Sequence, residues 1–429
     1  MNIIIFAILT LGQNILLAGG LTNVSEAFAL GAVLVAAFVG RSPLVKEEAT
    51  LLSAILGLLL ILGVHDILTG GITEKTFKVA AHYLVLAAYV VILRKALIIH
   101  PKRVVLFLFL LTFSELWGIF SGISTARTVG DPWQLALAGP ISAFIFSLVA
   151  YLTRARKFWL IATLLALAGL HTFFAARSLA LGALMTIVLV FLWNHRRRSS
   201  ANRMAAKMMV FGTLLIGLIG IGVDASMRNG VFGTELRDQY VQQASSTYGL
   251  IGGSRPQFLV GSIAALDRPL FGFGTHQESV APYYVRLLVY DFNNSPFVNE
   301  VFMDRKIDGE RIPSHSTIID AWLLFGILGV AFWVWIMYRI IRILFHALVL
   351  PGISSTVVIF FAPQMLWALV FNPGPDRLMF SIGFAFFLAF DYRKGLIDMK
   401  HRKAKVSEEA KESAYTGSTL RTLPEDISS

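Results

Sequence analysis

The stretch ISSTVVIFFAPQMLWALVF, residues 353–371, holds no charged side chain, and runs like it recur along the whole chain. They are continuous in Leu, Ala, Val, Ile and Phe rather than alternating with polar residues. A bilayer core takes about 20 apolar residues per helix, and only helices or closed barrels satisfy a backbone in lipid. Barrel strands would read as short alternating segments. The pattern therefore predicts an all-α polytopic membrane protein. A hydrophobic fraction of 56% against 15% charged residues agrees, lying far from the composition of a soluble domain.

Twelve transmembrane spans are expected, at 3–20, 26–40, 49–65, 79–99, 103–120, 133–152, 157–175, 177–194, 208–224, 317–338, 353–371 and 378–391. No basic stretch precedes the first span and no cleavage site follows it, so it is expected to remain as an anchor. Orientation follows from the basic segments, because Lys and Arg collect on the cytoplasmic side. HRRRSSANRMAAK (195–207) carries five Lys and Arg and no acid. Counting spans from it puts RSPLVK (41–46), RKALIIHPKR (94–103), TRARK (153–157) and YRIIRILFH (338–346) on the same side. Both termini then face the cytoplasm, and the net charge of +11 reflects topology rather than nucleic-acid binding. Residues 1–391 form one membrane domain, and 392–429 a polybasic and then disordered cytoplasmic tail. Residues 225–313 form a large extracytoplasmic loop. Its segment PQFLVGSIAALDRPLFGFG has helical spacing of apolar residues, which predicts short helices in a folded cap.

Four arginines fall where the positive-inside bias depletes them: Arg127, Arg177, Arg255 and Arg377. Arg is suited to forked binding of phosphate or carboxylate, so Arg177 and Arg255 together suggest an anion site. A lone arginine at a helix end also snorkels to headgroups with no such role. His315, in RIPSHSTIID, stands at the threshold of an apolar helix. Its imidazole suits proton transfer near neutral pH; the alternative is an interfacial residue beside a Ser314 or Ser316 helix cap. Asp320 and Glu115 are acids inside expected spans, each needing a polar partner. His171 reads as a packed, hydrogen-bonded histidine. The chain has no cysteine, no phosphate-binding P-loop, no His-Glu-x-x-His and no Asp-x-Asp. GFGTH (272–276) follows no strand and is not a dinucleotide fingerprint. No metal and no cofactor are expected.

Three segments together resemble the O-antigen polymerase/ligase family of bacterial membrane glycosyltransferases. AARSLALGALMTIVL is similar to that family's Ser-Arg-Gly opening of an apolar helix. SRPQFLVGSIAALDRPLFGFG is similar to its arginine, amphipathic helix and Pro-Leu-x-Gly-x-Gly. SHSTIIDAWLLFGILGVAFW is similar to its His-Asn, helix and Gly-x-x-Gly, with His315, Gly326 and Gly329 in place. The chain departs from the family at Ala176, Ser178, Ser316 and Leu324, and in the length of 277–312. The resemblance implies a donor oligosaccharide on undecaprenyl pyrophosphate, transferred to a polysaccharide acceptor at the periplasmic face of the inner membrane. It implies that Arg177 and Arg255 clamp the pyrophosphate and that His315 is the general base of an inverting, metal-independent transfer. Arg127, Arg377, Asp320, Glu115 and Ser316 would make up the supporting polar set. A flippase and a chain-length regulator are the partners it suggests. A ligase acting on lipid A-core, a lipid-linked-oligosaccharide transporter and a catalytically silent subunit are the other readings.

Overall fold

The structure, a computed structural model, describes residues 46–97, 101–121, 138–174, 176–193, 224–231, 233–245, 255–290, 311–350, 352–371 and 380–388, with isolated positions before residue 46 and at 133, 137, 221 and 222. The expected spans 26–40 and 208–224 lie almost wholly outside these residues, as do Arg127, Arg377, the basic segment 195–207 and the tail.

Among the described residues the helices that carry the fold include α1 (Lys46–Thr69), α2 (Glu74–Leu97), α3 (Pro101–Phe120), α4 (Ala138–Leu152), α5 (Lys157–Phe173), α6 (Arg177–Leu192), α7 (Thr234–Ala244), α8 (Pro256–Asp267), α9 (Ala281–Tyr290), α10 (Thr317–Phe325), α11 (Ile327–Val349) and α12 (Ile353–Phe371), and residues 380–388, within the expected span 378–391, are helical as well. Among the described residues five helices are long and apolar enough to cross a membrane: α1, α2, α3, α11 and α12. Helices α4, α5 and α6 are apolar but shorter. This is a helical protein built for a membrane. Helices α7, α8 and α9 all lie within 225–313.

Helix α12 is apolar all round, which suits a helix enclosed by others. It packs against α4, α6, α10 and α11, and Phe360, Phe361 and Ile359 are fully buried on it. Phe360 stacks on Phe146 of α4, with ring centroids 4.7 Å apart. Helix α1, by contrast, leaves Leu56, Leu60, Ile67 and Leu68 exposed along its length. Apolar residues facing outward are what a lipid environment tolerates.

The structure corrects the sequence reading at four places. Leu16–Leu17, expected at the end of a first helix, pairs with Thr22–Asn23 as a two-residue antiparallel ladder. The basic segment 94–103 lies largely in helix: α2 runs to Leu97 and α3 starts at Pro101. Arg94 is buried there, its Nε 2.6 Å from Glu48 Oε1 across the α1–α2 pair. The pairing explains why that charge need not sit in a loop. Third, the expected span 317–338 is two helices that meet at Gly326, whose φ is +63°. Fourth, the spanning helix is α11, so YRIIRILFH (338–346) continues it rather than leaving it as a loop.

Candidate anion and base site

Helix α8 begins where Pro256 fixes its first turn, with Arg255 as the residue before it. Its buried face, Val260, Gly261, Ala264 and Ala265, is small enough to let α10 approach closely. The contact is tightest at Gly261, where an added Cβ would meet both Ser314 and Ile319. Helix α10 begins at Thr317. Ser316 caps it, its hydroxyl accepting from the Ile319 N–H at 3.4 Å. His315, just before that cap, has a φ of +52°, a left-handed conformation rare for a side chain of its size.

Two bonds brace this turn. The Ser314 hydroxyl donates to Asp320 Oδ1. The Ser316 N–H donates to the same Ser314 oxygen at 3.4 Å. Asp320, one turn into α10, therefore holds the backbone on which His315 is displayed. The sequence suggested an arginine or another polar group for Asp320, and the hydroxyl of Ser314 serves.

Arg255 lies half-buried beside the imidazole. Its Nη1 donates to the carbonyl of Phe371, the last residue of α12, at 3.2 Å. One face of the guanidinium fork is thus tied down. Burial lowers its pKa from the usual arginine value. His315 is pushed down to about 4, mainly by burial and further by the Arg255 charge. Its imidazole is therefore neutral at physiological pH and able to accept a proton.

Arg177 is the first residue of α6; its backbone is placed and its side chain lies outside the description. Helix α6 packs against α12, with Trp193 Nε1 donating to the Leu350 carbonyl at 2.9 Å and Gly182 against Gln364. The two helices therefore run antiparallel, and the start of α6 at Arg177 lies toward the end of the pair where α12 finishes and Arg255 is anchored. Three chain segments far apart in sequence thus deliver Arg177, Arg255 and His315 to one end of the bundle.

Glu115 is partly buried near the end of α3, a helix that packs on α2 and α4. It belongs to other elements than those that hold Arg255 and His315. His171 is buried at the end of α5, with Nε2 2.9 Å from Ser142 Oγ. Its own carbonyl accepts from the Ala176 N–H at 2.8 Å, which shapes the turn into Arg177.

A backbone splice at the far end of α10 and a polar clasp fix segment 270–278, and neither was read from the sequence. Where α10 stops at Phe325, the Phe273 N–H donates to the Leu323 carbonyl at 2.6 Å, and the Ile327 N–H donates to the Leu270 carbonyl at 3.3 Å. Helix-end groups left free at the break are thereby satisfied by segment 270–273. Gly272, at φ +70°, has the Trp322 and Leu323 carbonyls where a side chain would go. The same segment then runs to the α1–α2 corner. There the fully buried Asp66 accepts from the Thr275 N–H (3.1 Å), the Thr275 hydroxyl (2.7 Å) and the Thr76 hydroxyl (2.7 Å). His276 Nε2 sits 2.8 Å from the Gly71 carbonyl, and Lys75 pairs with Glu278 at 2.5 Å. The signals were present as Gly272 and Gly274, both at positive φ, and as an acid just past an apolar run. The two sides of the clasp are some two hundred residues apart. Among the described residues no group of three His, Asp or Glu converges to hold a metal.

What the arrangement can do is bind an anion at a partly desolvated arginine while a neutral imidazole takes a proton beside it. No family model matches the chain, and no curated protein matches it either.

Proposed function

We propose that the chain is an inner-membrane polysaccharide polymerase, a metal-independent inverting glycosyltransferase. It would transfer oligosaccharide repeat units from undecaprenyl pyrophosphate onto a growing glycan. The observation that carries this reading is that Arg255 and His315 stand at the starts of two helices packed on each other, with α6 running antiparallel to α12 so that its start points toward the same end. In this reading twelve spans place both termini in the cytoplasm, and the end of the bundle that carries Arg255 faces the periplasm.

The donor's pyrophosphate binds Arg255 and Arg177. The acceptor hydroxyl gives its proton to the neutral His315 as its oxygen bonds to the anomeric carbon. The bond from that carbon to the pyrophosphate breaks with inversion, and undecaprenyl pyrophosphate leaves with the electron pair. The arginines stabilise the charge that gathers on it in a site of low dielectric. An anion on Arg255 also offsets the charge that weakens the imidazole as a base, so donor binding readies the proton acceptor. A flippase to supply the donor and a chain-length regulator are the expected partners.

The test is direct. Purified protein is given the lipid-linked repeat unit alone, and the glycan products are run on a gel. A ladder of lengths is expected, absent from a folded His315→Ala protein that still binds donor. A ladder that persists in that variant removes His315 as the base. No ladder without lipid A-core, but transfer in its presence, makes the chain a ligase.

A further inference from the structure

The buried side of α8 faces α10; among the described residues its opposite side is exposed. Ile263 and Leu266 stand one turn apart on it, and Leu270 and Phe271 extend the row into the turn that follows the helix. Leu266 is 64% exposed, Leu270 62% and Phe271 68%. The row, flanked by the exposed Asp267 and Arg268, runs on beyond the helix. It ends at the backbone splice, where the Leu270 carbonyl takes the N–H of Ile327, the first residue of the spanning helix α11. From that residue α11 carries its own exposed stripe: Ile327, Ala331, Val334, Tyr338 and Ile341. That spacing of four and three marks one helix face. The apolar row that follows α8 and the stripe of α11 therefore meet at the splice.

The groups that flank the row fit the depth of a lipid headgroup region. Trp322 donates its indole N–H to the Pro269 carbonyl at 2.9 Å, and indoles favour that boundary. Arg268 is exposed on the same turn, with its guanidinium 5.0 Å from the Phe273 ring centroid. Asp267, beside it, accepts from the Tyr284 hydroxyl at 2.5 Å.

We propose that the turn closing α8, with Leu266, Leu270 and Phe271, is inserted into the phospholipid acyl chains at the level where α11 enters the bilayer. Helix α8 is then a membrane-seated helix rather than part of a water-borne cap. It spans about 18 Å from its first residue to its last, which keeps Arg255 within reach of the headgroup layer. An anion bound there is one that a lipid carries. The placement stands whether or not the chain is a glycosyltransferase.

The chain's lack of cysteine makes the test clean. Single variants Leu266→Cys, Phe271→Cys and, as a lipid-facing reference, Leu328→Cys are labelled with an environment-sensitive fluorophore. All three positions are exposed, so labelling leaves the packing intact. The proteins are reconstituted in phosphatidylcholine vesicles with or without brominated acyl chains. The expected result is quenching by bromolipid at 266 and 271 comparable with that at 328, with little quenching by aqueous iodide. Iodide quenching without bromolipid quenching overturns the proposal. So does shielding from both quenchers, which would mean that protein, such as a second copy of the chain, covers the row.

Discussion

Gly261 lies flat against the backbone of Ser314: a Cβ on the glycine would stand 2.7 Å from the Ser314 Cα. The neighbouring His315 is displayed by that backbone, so the spacing of α8 from α10 sets where the imidazole points. Gly261→Ala must push the two helices apart or twist the 314–316 turn. Overpacking of this kind costs about 1–3 kcal/mol, and a misplacement near 1 Å costs up to about a hundredfold in rate. The expected outcome is a folded protein with at least about tenfold slower transfer, measured by product ladders at matched protein levels.

Arg255 donates one arm of its fork to the Phe371 carbonyl and leaves the rest for a ligand. Lysine keeps the charge and cannot do both. Arg255→Lys should lower the transfer rate about a hundredfold, within the range found for deleting one charge-stabilising donor. A rate within about threefold of the original would count against an anion clamp.

The pH dependence carries its own sign. An imidazole must be neutral to accept a proton, and burial with the Arg255 charge holds His315 down to about 4. Transfer at low donor concentration, which reports the free protein, should hold level from neutral pH through about pH 5. It should fall about tenfold per unit only below the His315 value. A midpoint near the ordinary imidazole value, about 6.5, would mean that the base is another group or a differently placed His315.

Asp320 distinguishes bracing from chemistry. Its Oδ1 accepts from the Ser314 hydroxyl. Asparagine keeps an accepting oxygen there, and alanine keeps none. Asp320→Asn should retain activity within about fivefold, whereas Asp320→Ala should lose about tenfold or more with the pH midpoint displaced. Equal and complete loss in both would point to a requirement for the negative charge itself.

The clasp should be visible in exchange experiments. Asp66→Ala leaves the Thr275 N–H and two hydroxyls without their shared acceptor. Bonds to a charged group are worth about 1.5–3 kcal/mol each before compensation. Hydrogen exchange at 270–278 should accelerate by about an order of magnitude or more, while the amides of α12 keep their protection. No change at 275 would mean that the loop is held by other contacts.

How far this was legible from the sequence depended on the kind of interaction. Span 353–371 coincides with α12 because hydropathy reports directly on a helix that is apolar on every side. The start of α8 was visible because Pro256 marks a first turn. The break at Gly326 was hidden inside the largely apolar run 317–338. Hydropathy is blind to a backbone dihedral, and only the glycine spacing with Gly329 hinted at it. A run of basic residues at 94–103 looked like a loop because Glu48, the partner that buries Arg94, is nearly fifty positions earlier. The Asp66 clasp was illegible for the same reason. Its hydroxyl partners are threonines, which carry no signature, and Thr275 stands on another segment altogether. Arg255 and His315 could be singled out individually, but the packing of their two helices at Gly261 against Ser314 joins segments more than fifty residues apart.

The splice at Gly326 has a consequence for how such a chain is made. Segment 270–273 leaves the ribosome well before Trp322–Ile327, yet each holds the backbone donors and acceptors that the other lacks. Until the second segment is synthesised, the first has no ladder to join. Until the first is in place, the elbow between α10 and α11 has nothing to seal it. The order of assembly is thereby written into two hydrogen bonds: the earlier segment waits, and the later helix locks in against it.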